Sequence, residues 1–382
     1  MTAPSGLVIV DKPAGMTSHD VVGRIRRLAG TRRVGHAGTL DPMATGVLVI
    51  GVEKATRLLG YLSLTEKEYA ATIRLGQSTS TDDAEGEPIG GASAAGVSPA
   101  LLAQVGTLPP GTLLSRGTSP DPHGPGPDGP ELPAELRKAV AGLTGEILQV
   151  PPGVSAIKVG GQRAYKLTRA GAAPELAPRP VTVYEFRVTA VRPADSAGPS
   201  GAANDPPSTL RKTGGLLDVD AIVRCSSGTY IRALARDLGA ELGTGGHLTA
   251  LRRTSAGAYN LAQARTLEDL AERLVVTPLE DAAAAAFPRV DLSQDDARRL
   301  SHGARIPVPA AAALPGSAAA PPGSAAAPPG ADASPSLGTV AGPGPVRAQK
   351  ETPLAAFAPD GTLVALVTED SGRLRPLAVF AG

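Results

Sequence analysis

Three tracts rich in Gly, Pro, Ala and Ser limit how much of this 382-residue chain can pack into a hydrophobic core. They cover about residues 90–133, 193–215 and 309–345, and the last contains the heptapeptide PGSAAAP twice in succession, at 315–321 and 322–328. Segments of this composition bury too little apolar surface to offset the conformational entropy that ordering costs. We therefore predict a disordered insertion in the first tract, a long hairpin loop in the second and a low-complexity loop in the third.

The apolar pattern outside these tracts alternates between strand and helix periods without a regular β-α-β order. Residues 7–10 and 46–52 have the continuous apolar composition of buried strands. A helix with one apolar face is predicted to begin at Thr17 or Ser18 and to end at Gly30. Further strands are predicted over 69–75, 181–191, 217–225, 353–358 and 362–367, and further helices over 54–62, 133–143, 164–170, 230–242 and 294–302. This order favours the α+β fold class with a mixed, largely antiparallel sheet.

The chain is long enough for two domains once the low-complexity tracts are set aside. We predict a first domain over residues 1–285 that carries the first two tracts as insertions. A small β module is predicted over 286–382, where the third tract interrupts a short helix and two strands.

Composition excludes several classes of protein. The net charge is +1, from 37 Lys and Arg against 36 Asp and Glu, which excludes a globally basic nucleic-acid coat but not a local basic face. Residues 1–74 hold ten Lys or Arg and six Asp or Glu. Cys225 is the single cysteine, so an internal disulfide and a zinc site with two thiolates are excluded. No apolar run reaches the length of a signal peptide or a membrane span, so we expect a cytoplasmic protein.

The segment with the clearest chemical character is GHAGTLDPMATG at residues 35–46. Its glycines permit tight turns and close backbone approach, and Pro42 fixes the chain directly after Asp41. A carboxylate held in this way, just ahead of a buried strand, is pre-organised for chemistry, although an ordinary Asp-Pro turn would look the same in isolation. No Gly-Lys-Ser/Thr follows the glycines, which argues against a phosphate-binding loop.

Residues 35–46 resemble the catalytic motif of the TruB family of tRNA pseudouridine synthases, and DKPAGMTS at 11–18 resembles the N-terminal motif of that family. Further matches follow in the family's order: KEY at 67–69, RLGQ at 74–77, SAIK at 155–158, RPVTV at 179–183, CSSGTYIR at 225–232 and HLTALRR at 247–253. The resemblance covers about residues 5–280 apart from the insertions, and the C-terminal module more weakly. It implies a pseudouridine synthase catalytic domain followed by a small PUA-like β-barrel.

The resemblance also implies an activity: isomerisation of uridine 55 in the T loop of tRNA to pseudouridine. The base is flipped out, the N1–C1′ glycosidic bond is cleaved and the uracil is rejoined through C5, with no cofactor and no metal. Asp41 matches the catalytic aspartate, which acts either as a covalent nucleophile or as a base. Arg232 matches the arginine that pairs with this aspartate. Without the motif, Arg232 could equally be a helix-surface residue that forms an ion pair with Asp237 or Glu241.

Five further residues match positions of the family that meet the substrate. Tyr69 matches the tyrosine that stacks on the flipped uracil, although a strand tyrosine can also be a core residue. Tyr230 and Leu251 match positions that line the uracil pocket, and Lys12 matches a basic residue near it. His36 matches a histidine that inserts into the T loop. A second basic segment, with Arg163, Lys166 and Arg169, matches the part of the family that embraces RNA.

Other functions remain open at this stage. A glycoside hydrolase would need a second carboxylate, and Asp82 and Asp83 are the nearest candidates, but their surroundings over 79–86 are typical of a solvated acidic turn. A tRNA-binding folding chaperone with incidental catalysis is one alternative. A guide-RNA-dependent rRNA pseudouridine synthase is another, and it would require partner subunits, whereas we expect a monomer that binds the T stem-loop alone.

Overall fold

The computed structural model describes residues 4–89, 97–98, 101, 132–155, 158–159, 162–163, 176–194, 215–309 and 353–380. Contacts between Cα atoms divide the chain into two compact units, Met1–Pro278 and Leu279–Gly382. The division into domains at residue 285 stays a prediction. The predicted helix over 164–170 and nearly all of the third low-complexity tract lie outside the described residues.

The first unit is built on one large sheet with helices. Its strands are β1 Gly6–Lys12, β2 Val34–Ala37, β3 Thr45–Val52, β4 Lys67–Leu75, β5 Ser78–Thr79, β6 Pro88–Ile89, β7 Gly145–Gln149, β8 Lys158–Val159, β9 Gln162–Arg163, β10 Arg179–Pro193, β11 Leu217–Cys225, β12 Gly246–Ala256, β13 Tyr259–Asn260 and β14 Thr277–Pro278. Its helices are α1 Ser18–Ala29, α2 Leu59–Leu62, α3 Ala134–Gly142, α4 Ile231–Glu241 and α5 Leu267–Glu272, with a 3₁₀ turn over Glu53–Arg57.

The described strands of the large sheet follow the order β14-β1-β3-β12-β4-β11-β10-β7, with β2 paired to β3 and β13 to β12. Nearly every pairing is antiparallel, and β12 runs parallel to β3 where Arg252 and Arg253 meet Thr45 and Gly46. The prediction of an α+β fold with a mixed, largely antiparallel sheet is therefore confirmed.

Helix α1 forms where the sequence predicts it because its end signals are local. Thr17 caps the helix with its hydroxyl on the backbone N–H of Asp20, whose side chain accepts from the Thr17 backbone in return. Gly30 ends the helix in the left-handed conformation, with φ of 64°. Val21, Val22 and Ile25 are buried on the face between these ends, which fixes the helix against the sheet.

The second unit contains a smaller sheet of five described strands in the order β15-β17-β18-β19-β16. The strands are β15 Arg289–Asp291, β16 Ile306–Pro307, β17 Leu354–Phe357, β18 Leu363–Asp370 and β19 Arg373–Val379, and the helices are α6 Leu279–Ala286 and α7 Gln294–Ser301. The sheet curls into a half-barrel, which is consistent with a PUA-like module. Its core is aliphatic, with Leu300, Ile306 and Leu374 fully buried.

Among the strands that the sequence pattern did not reveal, the longest is β12, which lies in the middle of the large sheet. Its pairing with β4 is shifted between Leu248 and Ala250 and again between Arg253 and Ser255. Each shift breaks the two-residue alternation by which strands are recognised in a sequence. The burial of Arg253 removes the polar signal of a solvent-facing position as well.

The prediction of disorder across residues 90–133 is wrong at two described positions. Val97 and Leu101 are buried, with 1% and 3% of their surfaces exposed, and both belong to the core of the first unit. The Val97 N–H donates to the Gly215 carbonyl at 3.0 Å, and Gly215 lies at the end of the hairpin connection between β10 and β11. Isolated apolar side chains in a low-complexity tract thus contribute to the core without forming a periodic pattern.

No helix in the described parts of the chain is long and apolar enough to cross a membrane.

We expect Leu101→Ala to lower the free energy of unfolding by about 2–4 kcal/mol, because it deletes a buried side chain and leaves a cavity. The matched control is Leu148→Ala, since Leu148 is 73% exposed, and we expect its effect to stay within about 0.5 kcal/mol. Urea unfolding followed by circular dichroism measures both. Equal stability of the Leu101 and Leu148 variants would show that the first tract does not belong to the core.

Candidate active site

The loop that carries Asp41 connects β2 to β3 and is fixed from both sides. On the α1 side, the Ser18 hydroxyl accepts from the Leu40 N–H at 2.9 Å and donates to the Leu40 carbonyl at 3.2 Å. On the other side, the Pro42 carbonyl accepts from the Lys12 ammonium at 3.1 Å. Asp41 lies between Leu40 and Pro42, so hydrogen bonds to both neighbours restrain its backbone.

Gly46 sets the distance between this loop and the central strand β12. A Cβ atom at Gly46 would lie 2.2 Å from the Arg253 carbonyl oxygen, and the residue has a φ of 98°. Both observations require glycine, because a side chain would collide with backbone and is disfavoured at positive φ. The close approach allows β3 and β12 to pair in parallel beside the catalytic loop.

Arg232 binds Asp41 through both of its carboxylate oxygens. The Nε atom lies 3.0 Å from Oδ2 and the Nη2 atom 3.0 Å from Oδ1, in the first turn of α4. The remaining guanidinium donors reach the carbonyls of Thr81 at 2.9 Å and Val154 at 3.0 Å. The alternative partner Asp237 pairs instead with Arg236. The bidentate bond fixes the orientation of the Asp41 carboxylate.

Asp83 completes this cluster, contrary to the interpretation of residues 79–86 as a solvated turn. Asp83 is 3% exposed, and its Oδ2 lies 3.4 Å from Nη1 of Arg232. The Glu85 N–H donates to the Asp83 carboxylate at 3.1 Å. Asp82 forms an ion pair with Arg236 at 3.2 Å, and burial raises the pKa of Asp82 while Arg236 opposes that shift. The solvated-turn interpretation is wrong because the arginines that hold both carboxylates come 150 residues later.

Five of the predicted residues line one cavity of about 260 Å³: Asp41, Tyr69, Tyr230, Arg232 and Leu251. Tyr69 lies on β4 and Leu251 on β12, the neighbouring strand. Tyr230 directly precedes α4, and its backbone exchanges two hydrogen bonds with the Gln149 side chain, at 2.8 and 3.1 Å. Burial raises the pKa values of Tyr69 and Tyr230, so both hydroxyls stay protonated at neutral pH.

Lys12 and His36 are not among the described residues that line this cavity. Lys12 is fully buried, and its ammonium donates to the carbonyls of Pro13, Met16 and Pro42. Because an ammonium has three donors, Lys12 has none left for a substrate. Burial lowers its pKa to about 8. Lys12 therefore helps to hold the loop that carries Asp41, and the predicted substrate contact of Lys12 stays a prediction.

His36 lies in β2, with its ring edge-on to the ring of His19 at a centroid distance of 5.4 Å. Burial lowers the pKa of His36 to about 4, with smaller contributions from the neighbouring His19 and Arg253. Its Nδ1 atom is buried and has no hydrogen-bond partner within the described chain. The His36 imidazole is therefore neutral at physiological pH.

Exposed arginines lie on α1 and directly after it. Arg24 and Arg27 project from α1 into solvent, and Arg32 follows the helix, also exposed. None of the three forms an ion pair with a described carboxylate, whereas Arg33 pairs with Glu53 at 3.7 Å. The second basic segment, with Lys166 and Arg169, lies outside the described residues, as does the side chain of Arg163.

Family models match most of the chain. The model of the TruB family pseudouridylate synthase N-terminal domain matches residues 26–107 and 131–231. The model of the tRNA pseudouridylate synthase B C-terminal domain matches 232–285, and that of the tRNA pseudouridine synthase II C terminus matches 344–381.

Curated relatives of similar length cover nearly the whole chain. A protein of Arthrobacter sp. strain FB24 named tRNA pseudouridine synthase B is 50% identical over 99% of this chain and 97% of its own length. Proteins with the same name are 50% identical in Thermobifida fusca, over 99% of both chains, and 46% identical in Streptomyces griseus, over 100% and 98%.

Solved structures share the fold at low identity. A chain of a Cbf5–Nop10–Gar1 complex superposes with a TM-score of 0.56 and 22% identity, over 98% of this chain and 84% of that one. A chain of an H/ACA RNP bound to a substrate RNA containing 2′-deoxyuridine gives 0.55 and 21%, over 99% and 85%. The matched family models and the relatives of similar length show that this chain belongs to the TruB family of pseudouridylate synthases.

Proposed function

We propose that this protein is a tRNA pseudouridine synthase that isomerises uridine 55 of the T loop. The observation that carries the proposal is the Asp41 carboxylate, held by both oxygens on Arg232 at the wall of a cavity that also contains Tyr69 and Tyr230. A cavity of about 260 Å³ can hold a single pyrimidine base, and the exposed Asp41 fraction of 35% leaves the carboxylate reachable. The relatives named tRNA pseudouridine synthase B support tRNA as the substrate.

The reaction begins when the target uridine leaves the stack and enters the cavity. Heterolysis of the N1–C1′ bond leaves the bonding electrons on uracil and electron demand on the ribose. Asp41 meets that demand either by bonding to C1′ or by removing a ribose proton, and both routes require its ionised form. Arg232 orients the Asp41 carboxylate, while Asp83 and two carbonyls keep the guanidinium in place.

The aromatic and aliphatic walls hold the base while it is detached. Tyr69 offers a ring for stacking, and Leu251 and Tyr230 exclude water from the same space. The base then turns so that C5 faces C1′. As the C5–C1′ bond forms, the Asp41 carboxylate either leaves C1′ or returns the proton it took from the ribose; C5 then loses its proton and N1 gains one. Atoms and charge balance, so the step is an isomerisation that consumes no co-reactant.

The partner is an RNA whose phosphates meet the basic surface of α1. Arg24, Arg27 and Arg32 are exposed without a carboxylate partner in the described chain, which suits sequence-independent contacts to a nucleic-acid backbone. A monomeric state and a cytoplasmic location remain predictions from the sequence.

The first test is pseudouridine formation in an unmodified T-arm stem-loop, with wild type and Asp41→Asn. We expect product from the wild type without a guide RNA, and a loss of at least about 10⁴-fold with Asn, which is neither ionised nor nucleophilic. Nucleoside analysis of the digested RNA measures both. Product only in the presence of a guide RNA would favour the rRNA-directed alternative. An unchanged effect of Asp41→Asn on tRNA folding would support an additional chaperone function.

Asp83→Asn tests whether Asp83 positions the catalytic pair. We expect the single-turnover rate to fall about 10²-fold, because Arg232 loses its second carboxylate and with it part of its orientation. A positioning role affects the rate and not RNA affinity, so the dissociation constant for tRNA should stay within about threefold of the wild-type value. Asp82→Asn is the matched control, since Asp82 pairs with Arg236 instead. Equal losses of rate and of RNA affinity would reduce Asp83 to a structural role.

Tyr69→Leu tests the stacking role. We expect turnover to fall about 10²-fold, while the dissociation constant for tRNA stays within about threefold, because phosphate contacts dominate affinity. Filter binding and single-turnover kinetics separate the two quantities. Tyr184→Leu is the control, since Tyr184 is an exposed strand tyrosine. Equal losses of binding and turnover would indicate that Tyr69 only supports the fold.

A further inference from the structure

Two more cations line the cavity, and the roles of Asp41 and Arg232 do not account for them. Lys67 begins β4 and Arg253 lies on β12, and they are only 5% and 1% exposed. They approach the same spot: a Cβ atom at Gly38 would lie 3.4 Å from Nη1 of Arg253 and 3.7 Å from Cε of Lys67. The two cations therefore lie next to the loop that leads to Asp41.

The contacts of these two side chains are all to neutral groups. Lys67 donates to the carbonyls of Ser63 and Thr65. Arg253 donates to the carbonyls of Val47 at 2.7 Å and Gly38 at 3.1 Å. Within the described chain, no carboxylate lies within ion-pair distance of either cation, which distinguishes them from Arg232 with its two aspartates.

Two adjacent buried cations without a counter-charge are costly, because both lose hydration and they repel each other. The cost is visible at Lys67, where burial, followed by repulsion from Arg253, lowers the pKa to about 8. Replacing either residue by an apolar one would relieve that cost. A catalytic cavity retains such a pair where an anion forms during the reaction and compensates the charge at that moment.

We propose that Lys67 and Arg253 stabilise the uracil anion after its glycosidic bond has broken and hold it in the cavity until it is rejoined through C5. This inference rests on the proposed function. Heterolysis of N1–C1′ leaves the electron pair on the base, where N1, O2 and O4 share the negative charge, and both cations lose their counter-charge again when C5 bonds to C1′ and N1 is protonated. Arg253 and Tyr69 are paired across β12 and β4 and line the same cavity, so a base stacked on the Tyr69 ring lies near the guanidinium.

A phosphate of the flipped nucleotide is the other anion that could reach a cationic wall. The geometry favours the base, because the two cations lie beside Tyr69 and Leu251, the apolar surfaces that suit a ring, rather than among the exposed arginines of α1. Neutralising a phosphate contact weakens RNA binding and its salt dependence, whereas stabilising a detached base affects the chemical step alone. The two possibilities therefore differ in measurable ways.

The test compares Lys67→Met with Lys67→Arg in single-turnover assays on two T-arm RNAs, one with uridine and one with 5-fluorouridine at the target. Fluorine at C5 withdraws electrons and stabilises the uracil anion without help from the protein. We expect Lys67→Met to slow loss of uridine about 100-fold but loss of 5-fluorouridine less than tenfold, with Lys67→Arg within about fivefold of wild type on both. RNA affinity should stay within about twofold. Lys138→Met, on the exposed face of α3, is the control.

Three outcomes would overturn the proposal. Equal slowing on both RNAs, without rescue by arginine, would make Lys67 a structural residue. Weaker RNA binding with a salt slope reduced by about one would assign the cation to a phosphate. Unchanged rates with Lys67→Met would remove it from the reaction. If the wild type itself forms no pseudouridine, the proposed function fails instead, so the two failures are distinguishable.

Discussion

The bidentate bond between Arg232 and Asp41 is the interaction on which the site depends, because it ties together segments that are distant in sequence. The two residues are 191 positions apart, and the same guanidinium also binds the carbonyls of Thr81 and Val154. Burying a guanidinium costs several kcal/mol unless its donors are satisfied, and removal of one partner leaves the charge uncompensated. One side chain thus holds together the loop that carries Asp41, the turn after β5 and the segment before β8.

The sheet supplies the second constraint, through the close approach of β3 and β12. Gly46 has no Cβ and therefore lets the chain come against the backbone of Arg253, which a side chain would prevent. Leu251 and Arg253 lie two residues apart on β12 and reach the same cavity. A change at Gly46 would consequently displace the loop with Asp41 and the strand with Leu251 together. The catalytic geometry is a property of the sheet as much as of the loop.

A structural feature could be predicted from the sequence when the residues that determine it lie close together in the chain. The Thr17 cap, the Gly30 stop and the strand over 217–225 depend on neighbours within a few residues, and the structure has them where the pattern indicates. The buried Asp83 and the strand β12 depend on partners far along the chain, so composition around them gave no signal. Val97 and Leu101 pack singly, without a period to detect.

The family resemblance identified residues that local chemistry alone could not, but it did not specify how each one is placed. Five of the residues line one cavity: Asp41, Tyr69, Tyr230, Arg232 and Leu251. By contrast, the Lys12 ammonium donates to three backbone carbonyls, and His36 lies in β2 beside His19. A motif match does not show whether a residue contacts the substrate or supports another residue that contacts it. Only the direction of the side chains distinguishes the two cases.

The distribution of charge around the cavity matches what an isomerase must do with two fragments. Asp41, Arg232 and Asp83 form one cluster, and in the proposed reaction its Asp41 carboxylate meets the electron demand of the ribose. Lys67 and Arg253 add two cations to the lining of the same cavity, where the electrons of the broken bond would reside. A hydrolase can release its leaving group to water, but an isomerase must retain it and present a different atom of the same ring. In the proposed reaction the Asp41 carboxylate holds the ribose, while the two cations and the Tyr69 ring hold the detached base until the new bond forms.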